Sequence, residues 1–222
     1  MSMLLGSWRS LLDHVGLVPF VPSDIPLLEA NTLVRLYNST NGPIWVDHTD
    51  WLIDLVVDDW YGVTVVANHV TGLDLDGNGL NGDIGSWRMG DLPLLTTCYL
   101  YNNVAFLGNV SDWRLPVLMS VLYLYATNLS GTPDISANTA MDDYRYDDCA
   151  LIQANVDAVL FSIYNRRMAF TSLTPALNIG GTNAAPSGIY QYAAVPSTGQ
   201  EYHYALENDD DGEGFNTWTI TV

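Results

Sequence analysis

The sequence predicts an α/β fold in which short parallel β-strands stack into a solenoid. A helical cap closes its N-terminal end, and a helix plus a closing strand finish its C-terminal end. Three observations predict this. One phrase recurs: Val70–Ile84 reads VTGLDLDGNGLNGDI, Thr96–Val110 reads TTCYLYNNVAFLGNV and Val121–Ile135 reads VLYLYATNLSGTPDI. The leading apolar positions, Leu73, Cys98, Leu122 and Tyr144, step by 25, 24 and 22 residues. The chain ends on an alternating segment, TWTITV at Thr217–Val222, as a strand with one buried face should. Repetition at a period of roughly 20–50 residues means stacked units, and such stacks make extended binding surfaces.

Each repeat explains its own residues. Leu73 and Leu75, Cys98 and Leu100, and Leu122 and Leu124 are two apart, so each pair points to one face of a short strand. Asn78, Asn103 and Thr127 follow three residues after the second apolar position. There a polar side chain can satisfy backbone groups that the turn leaves unpaired, at a cost of about 1–3 kcal/mol each if it is lost. Gly82, Gly108 and Gly131 occupy turn positions that a Cβ would hinder. A fourth, degenerate copy carries Tyr144, Tyr146, Cys149 and Leu151.

Upstream, Leu33–Gly72 holds LYNSTNG, Trp45, Trp51 and WYGV at Trp60–Val63. Ser23 or Asp24 is expected to cap a helix whose first turn holds Pro26, with Leu27, Leu28, Val34 and Tyr37 sharing one face. Downstream, Val156–Tyr164 reads as a helix with Asn155 at its N-cap, and Leu177–Gly188 reads LNIGGTNAAPSG. The spacing L-x-L-x-x-N-x-L-x-G-x-I/P resembles the leucine-rich repeat family, in the form common in plant receptors and in bacterial and phage-encoded proteins. The segment from Leu33 to Gly72 resembles that family's N-terminal cap. LNIGGTNAAPSG resembles the last rung of bacterial and phage members, in which a strand ending W-x-V closes the stack. The acidic stretch Glu201–Asn216 departs from that pattern and is expected to be a loop. The implied divisions are an apolar arm at 1–22, a cap at 23–69, repeats at 70–151 and a C-terminal end at 152–222.

Composition narrows the function. Charged residues make up only 14% of the chain, yet the net charge is −18. A phosphate backbone would be repelled, so no nucleic-acid partner is expected. No stretch is long enough to span a bilayer. Met1–Pro22 is broken by Arg9, Asp13 and His14 and lacks a small-residue cleavage site, so it does not read as a secretory signal. Cys98 and Cys149 lie two rungs apart, about 10 Å at the usual strand spacing, which is beyond disulfide reach. The chain holds neither a G-x-S-x-G elbow nor a Walker loop. Its histidines, His14, His48, His69 and His203, show no ligand spacing. An enzyme is therefore not expected, and no cofactor is.

Three features remain as candidates. The solvent-facing positions beside the inward residues read Asp74 and Asp76, Tyr99 and Tyr101, Tyr123 and Tyr125, then Arg145 and Asp147. Stacked in register, they form a two-by-two tyrosine patch bordered by charge, and tyrosine gives large contact area with little entropy loss. The apolar arm, with Leu4, Leu5, Trp8, Leu11, Leu12 and Val15 on an amphipathic helix, is a candidate docking element, in cis or in trans. Asp209, Asp211 and Glu213 offer oxygen ligands suited to calcium, although a solvated loop tip explains them more simply and no metal site is assigned. The expected function is non-catalytic binding or assembly. The family resemblance and the missing secretion signal together suggest a structural component of a phage-type virion, such as a decoration, fibre or tail protein. The alternative is a secreted or cell-surface bacterial adhesion module. Partners would be other virion or surface proteins, a second copy of the chain, or a glycan.

Overall fold

The computed structural model of the chain describes residues 22–209 and 214–222. Helix α1, Leu27–Ser39, leads into strands β1 (Val63–Val66), β2 (His69–Asp74), β3 (Asn81–Asp83), β4 (Thr97–Tyr99), β5 (Ala105–Asn109), β6 (Val121–Tyr123), β7 (Asn128–Ser130) and β8 (Asp143–Arg145). Helix α2 (Gln153–Arg166), β9 (Ala176–Asn178), helix α3 (Gly199–Glu207) and β10 (Thr219–Thr221) complete the order. Among the described residues the larger sheet runs β1-β2-β4-β6-β8-β9-β10 and the smaller runs β3-β5-β7. Among the described strands only β1 and β2 pair antiparallel, and the other pairings are parallel. Three full turns of a β-solenoid result, each giving one strand to both sheets.

The apolar spine is continuous. Leu73 pairs with Cys98, Cys98 with Leu122, Leu122 with Tyr144, Tyr144 with Leu177 and Leu177 with Ile220. All six are buried. The fourth repeat copy therefore takes its place as a rung, with Tyr144 and Tyr146 pointing inward. Their hydroxyls find no hydrogen-bond partner among the described residues. Cys98 and Cys149 are buried free thiols.

The turn column behaves as its polarity requires. Asn103 is 1% exposed. Its amide donates to Leu75 O and Leu100 O, both at 2.9 Å, and its Oδ1 accepts from Leu80 N at 3.0 Å. Thr127 donates to Leu124 O at 2.7 Å in the next rung. Asn183 donates to Tyr146 O at 2.7 Å and accepts from Leu151 N at 2.9 Å. Asn78 instead ties the first rung to the cap, exchanging hydrogen bonds with Asp47 N and O, each at 2.7 Å.

The cap is an aromatic cluster. Trp51 lies 5.0 Å from Trp45, 4.9 Å from Trp60 and 5.7 Å from Tyr37 between ring centroids. Each indole N–H donates to a backbone carbonyl: Trp45 to Thr40, Trp51 to Tyr61 and Trp60 to Asp54. That removes the penalty of burying them. Among the helix residues, Glu29 is buried; it accepts from Val70 N at 2.8 Å and meets His69 Nδ1 at 2.6 Å.

Four local expectations are corrected. Pro26 itself is the N-cap of α1. Asp24 is used elsewhere, accepting from Val57 N and Asp58 N at 2.8 and 2.9 Å, and Ser23 donates to Leu55 O. The buried face of α1 is Ala30, Leu33, Leu36 and Tyr37, while Leu27 and Leu28 are exposed. Helix α2 begins after Ile152 rather than Asn155. The expected loop at Glu201–Asn216 begins as helix α3, held by a capping box in which Thr198 accepts from Glu201 N and Glu201 returns to Thr198 N. The closing strand then pairs in parallel with β9.

Candidate functional site: a tyrosine face on the larger sheet

The outward positions of the larger sheet form columns because the strands pair without slippage. Asp74 registers with Tyr99, Tyr99 with Tyr123 and Tyr123 with Arg145. Pairing continues past the strand ends: Leu75 N donates to Tyr99 O, Gly77 N to Tyr101 O, Asn102 N to Tyr125 O and Ala126 N to Asp147 O, at 2.9–3.1 Å. A second column, Asp76, Tyr101, Tyr125 and Asp147, is thereby aligned beside the first. Period-two alternation sends these side chains outward while Leu75, Leu100, Leu124 and Tyr146 fill the interior. The structure thus brings together all eight residues that the sequence singles out for the face.

The four rings pack on one another. Tyr101 and Tyr125 stack at 4.4 Å with planes 14° apart. Tyr99 and Tyr123 meet at 5.0 Å, tilted by 52°. Tyr101 to Tyr123 and Tyr123 to Tyr125 each measure 6.0 Å, and Tyr99 to Tyr101 measures 6.3 Å. Aromatic pairs in this range contribute about 0.5–1.5 kcal/mol each beyond burial, so the rings are ordered before any partner arrives. All four keep part of their surface in solvent.

Charge frames the patch unevenly. The Arg145 guanidinium sits 5.0 Å from the Tyr123 centroid, and its Nε lies 3.7 Å from Asp143 Oδ1. The Tyr123 hydroxyl donates to the same carboxylate. Desolvation, and then Asp143, push the Tyr123 phenol up to about 12. Desolvation, and then Asp76, raise Tyr101 likewise to about 12. At the opposite end the Asp74 carboxyl is held above its usual range, first by desolvation and then by Asp76 beside it. Asp147 is raised by desolvation, and its Oδ1 has no hydrogen-bond partner among the described residues.

Sequence reading missed one member. Tyr61, in the cap turn, is 39% exposed. Its phenol is raised by desolvation and then by Asp47, Asp74 and Asp76, which places it at the acidic end. Gly62 brings that turn against β2: it accepts from Asp74 N at 2.7 Å, and a Cβ there would lie 2.1 Å from Asp74 O. The WYGV segment carried the signal, but only pairing between the cap and β2 reveals its place.

The face can offer ring surfaces, phenol donors and carboxylate acceptors. Among the described residues no group of three or more His, Cys, Asp or Glu could hold a metal ion. Asp209 accepts from Gly214 N at 2.9 Å, whereas Asp211 and Glu213 lie outside the described residues. So do the arm residues Leu4, Leu5, Trp8, Leu11, Leu12 and Val15. No described helix is long and apolar enough to cross a membrane.

No family model matches the chain, and no curated protein matches it. A crystal structure of a plant ice-binding protein is similar at 17% sequence identity with a TM-score of 0.47, covering 72% of this chain and 57% of that one. The chain thus spans under two thirds of that protein's length, and the likeness is a distant one of architecture.

Proposed function

We propose that the chain is a non-catalytic binding and assembly protein whose working surface is the tyrosine face, and that it serves as a structural component of a phage-type virion. The observation that carries the reading is a set of four rings, mutually packed at 4.4–6.3 Å on registered strands, yet open to solvent. A side chain already ordered loses little entropy on binding, which is where flexible surfaces forfeit affinity. The motif spacing and the Asn103 bridge between rungs support the finer assignment to leucine-rich repeats. The virion setting draws on the family resemblance.

The test is the double variant Tyr101→Ala, Tyr123→Ala. It removes all five ring contacts of the patch, which at the low end of the pairwise range is roughly 2–3 kcal/mol at these half-exposed positions, a fall in Tm of about 5–10 °C for a chain this size. Incorporation into native particles, imaged by negative stain, should be lost while the circular dichroism spectrum is retained. A folded variant that occupies regular sites on the particle as before would remove the face from function.

A further inference from the structure

We infer that the tyrosine face takes a cationic segment of a partner protein, laying Arg or Lys side chains across the phenol rings and against the carboxylates at its two ends. This rests on the reading of that face as the working surface and adds the chemistry of the occupant.

The face already contains a worked example. Arg145 lies over Tyr123 at 5.0 Å with its Nε 3.7 Å from Asp143, and Tyr123 donates to the same carboxylate. A cation is held between a ring and an acid, the arrangement in which ring quadrupole and carboxylate attract the same charge. The opposite end has these parts without a cation. Asp74 and Asp76 stand side by side, with Tyr99 and Tyr101 in the neighbouring strand positions and Tyr61 at the cap. Among the described residues, no basic side chain lies within ion-pair distance of either carboxylate. Asp76 raises the cost of charging Asp74 beside it, which an incoming cation relieves. Asp147, at the Arg145 end, is partly exposed and has no ion-pair partner among the described residues.

Charge over the whole chain selects the same occupant. Twenty-five acidic residues face seven basic ones, giving −18. A second copy meeting this face would bring like charge against it, and a phosphate-bearing or acidic partner would be repelled. A neutral sugar would use the rings but leave the carboxylates without a counter-charge. The two ends lie three strand steps apart, about 14 Å at the usual spacing of 4.8 Å. An extended chain covers that distance in about four residues. The fitting segment is therefore extended, with basic side chains four positions apart.

The experiment measures binding of the full chain to an immobilised ten-residue peptide carrying two arginines four positions apart in a Gly/Ser background. A citrulline version supplies the same shape without charge, and a neutral oligosaccharide panel supplies rings' other natural ligand. The Arg peptide should bind at least tenfold more tightly than the citrulline peptide, and its affinity should fall severalfold between about 0.05 and 0.3 M salt, where screening sets in. Asp74→Asn with Asp76→Asn should weaken it at least fivefold. Asp83→Asn with Asp112→Asn removes equal charge from residues outside the face and should change it by less than twofold. Three results overturn the inference while leaving the face itself standing: equal binding of the citrulline peptide, equal loss in both acid variants, or Tyr101-dependent capture of an oligosaccharide or a second copy with no capture of the Arg peptide. Full binding by the folded Tyr101→Ala, Tyr123→Ala variant overturns both the inference and the face on which it rests.

Discussion

Replacing Asn103 with alanine tests what holds the rungs together. The side chain is 1% exposed and joins two turns of the solenoid: it donates to Leu75 O in the preceding rung and to Leu100 O in its own, and accepts from Leu80 N. Alanine leaves one donor and two acceptors buried without partners. At about 1–3 kcal/mol for each orphaned group, partly relieved by local rearrangement, the expected loss is roughly 3–5 kcal/mol, a large part of a typical domain's stability. Urea unfolding followed by tryptophan fluorescence and circular dichroism measures it. Asn103→Thr is the control, because the next rung already uses Thr127, which donates to Leu124 O at 2.7 Å. It should recover about half of the loss. An alanine variant within 1 kcal/mol of the parent would refute the view that this column, rather than apolar stacking alone, pins each rung to the last.

Three further outcomes follow from the geometry. Burial drives the Cys98 and Cys149 thiols upward from their ordinary range, so both should resist a thiol reagent at pH 8 and react fully in denaturant; rapid native labelling of Cys98 would mean that the spine opens. The Tyr101 and Tyr123 phenols, pushed up to about 12, stay protonated in the folded chain after an unfolded chain would release them near pH 10. Their contribution to stability is therefore complete below pH ~10 and disappears as pH rises through about 12, and ultraviolet titration should show a late-ionising class, to which the buried Tyr144 and Tyr146 also belong, that shrinks by two phenols in Tyr101→Ala, Tyr123→Ala. Gly131 has φ +84°, and a Cβ there would lie 2.2 Å from Asn109 Oδ1. Gly131→Ala should thus cost about 1–3 kcal/mol in thermal unfolding, more than an exposed glycine such as Gly77, whose Cβ would meet nothing within 4 Å.

The spine, the face and the turn column were legible in the linear order of residues. Period-two alternation decides which side of a strand a residue occupies, and a constant repeat length decides which residues share a column. Leu73 over Cys98 over Leu122, and Tyr99 beside Tyr123, needed no more than that. The helix ends were less legible. Ser23 and Asp24 have the chemistry of a cap, but Asp24 is claimed by Val57 N and Asp58 N, more than thirty residues away. The start of α3 is encoded locally, in the S-T-x-x-E pattern at Ser197–Glu201 that forms its capping box, ahead of the acidic run.

What the sequence alone determined was the set of neighbours along one axis of the stack, because local alternation and repetition propagate rung by rung. What only the tertiary structure decided was how the ends meet that stack. The buried pairing of Glu29 with His69 and Val70 N, the arrival of Tyr61 beside Asp74 and Asp76, and the angles at which the four rings lean together all depend on contacts between segments that no periodicity links. Such contacts are chosen by competition for buried hydrogen bonds and packing space across the whole fold, and a residue's own sequence context does not record the outcome.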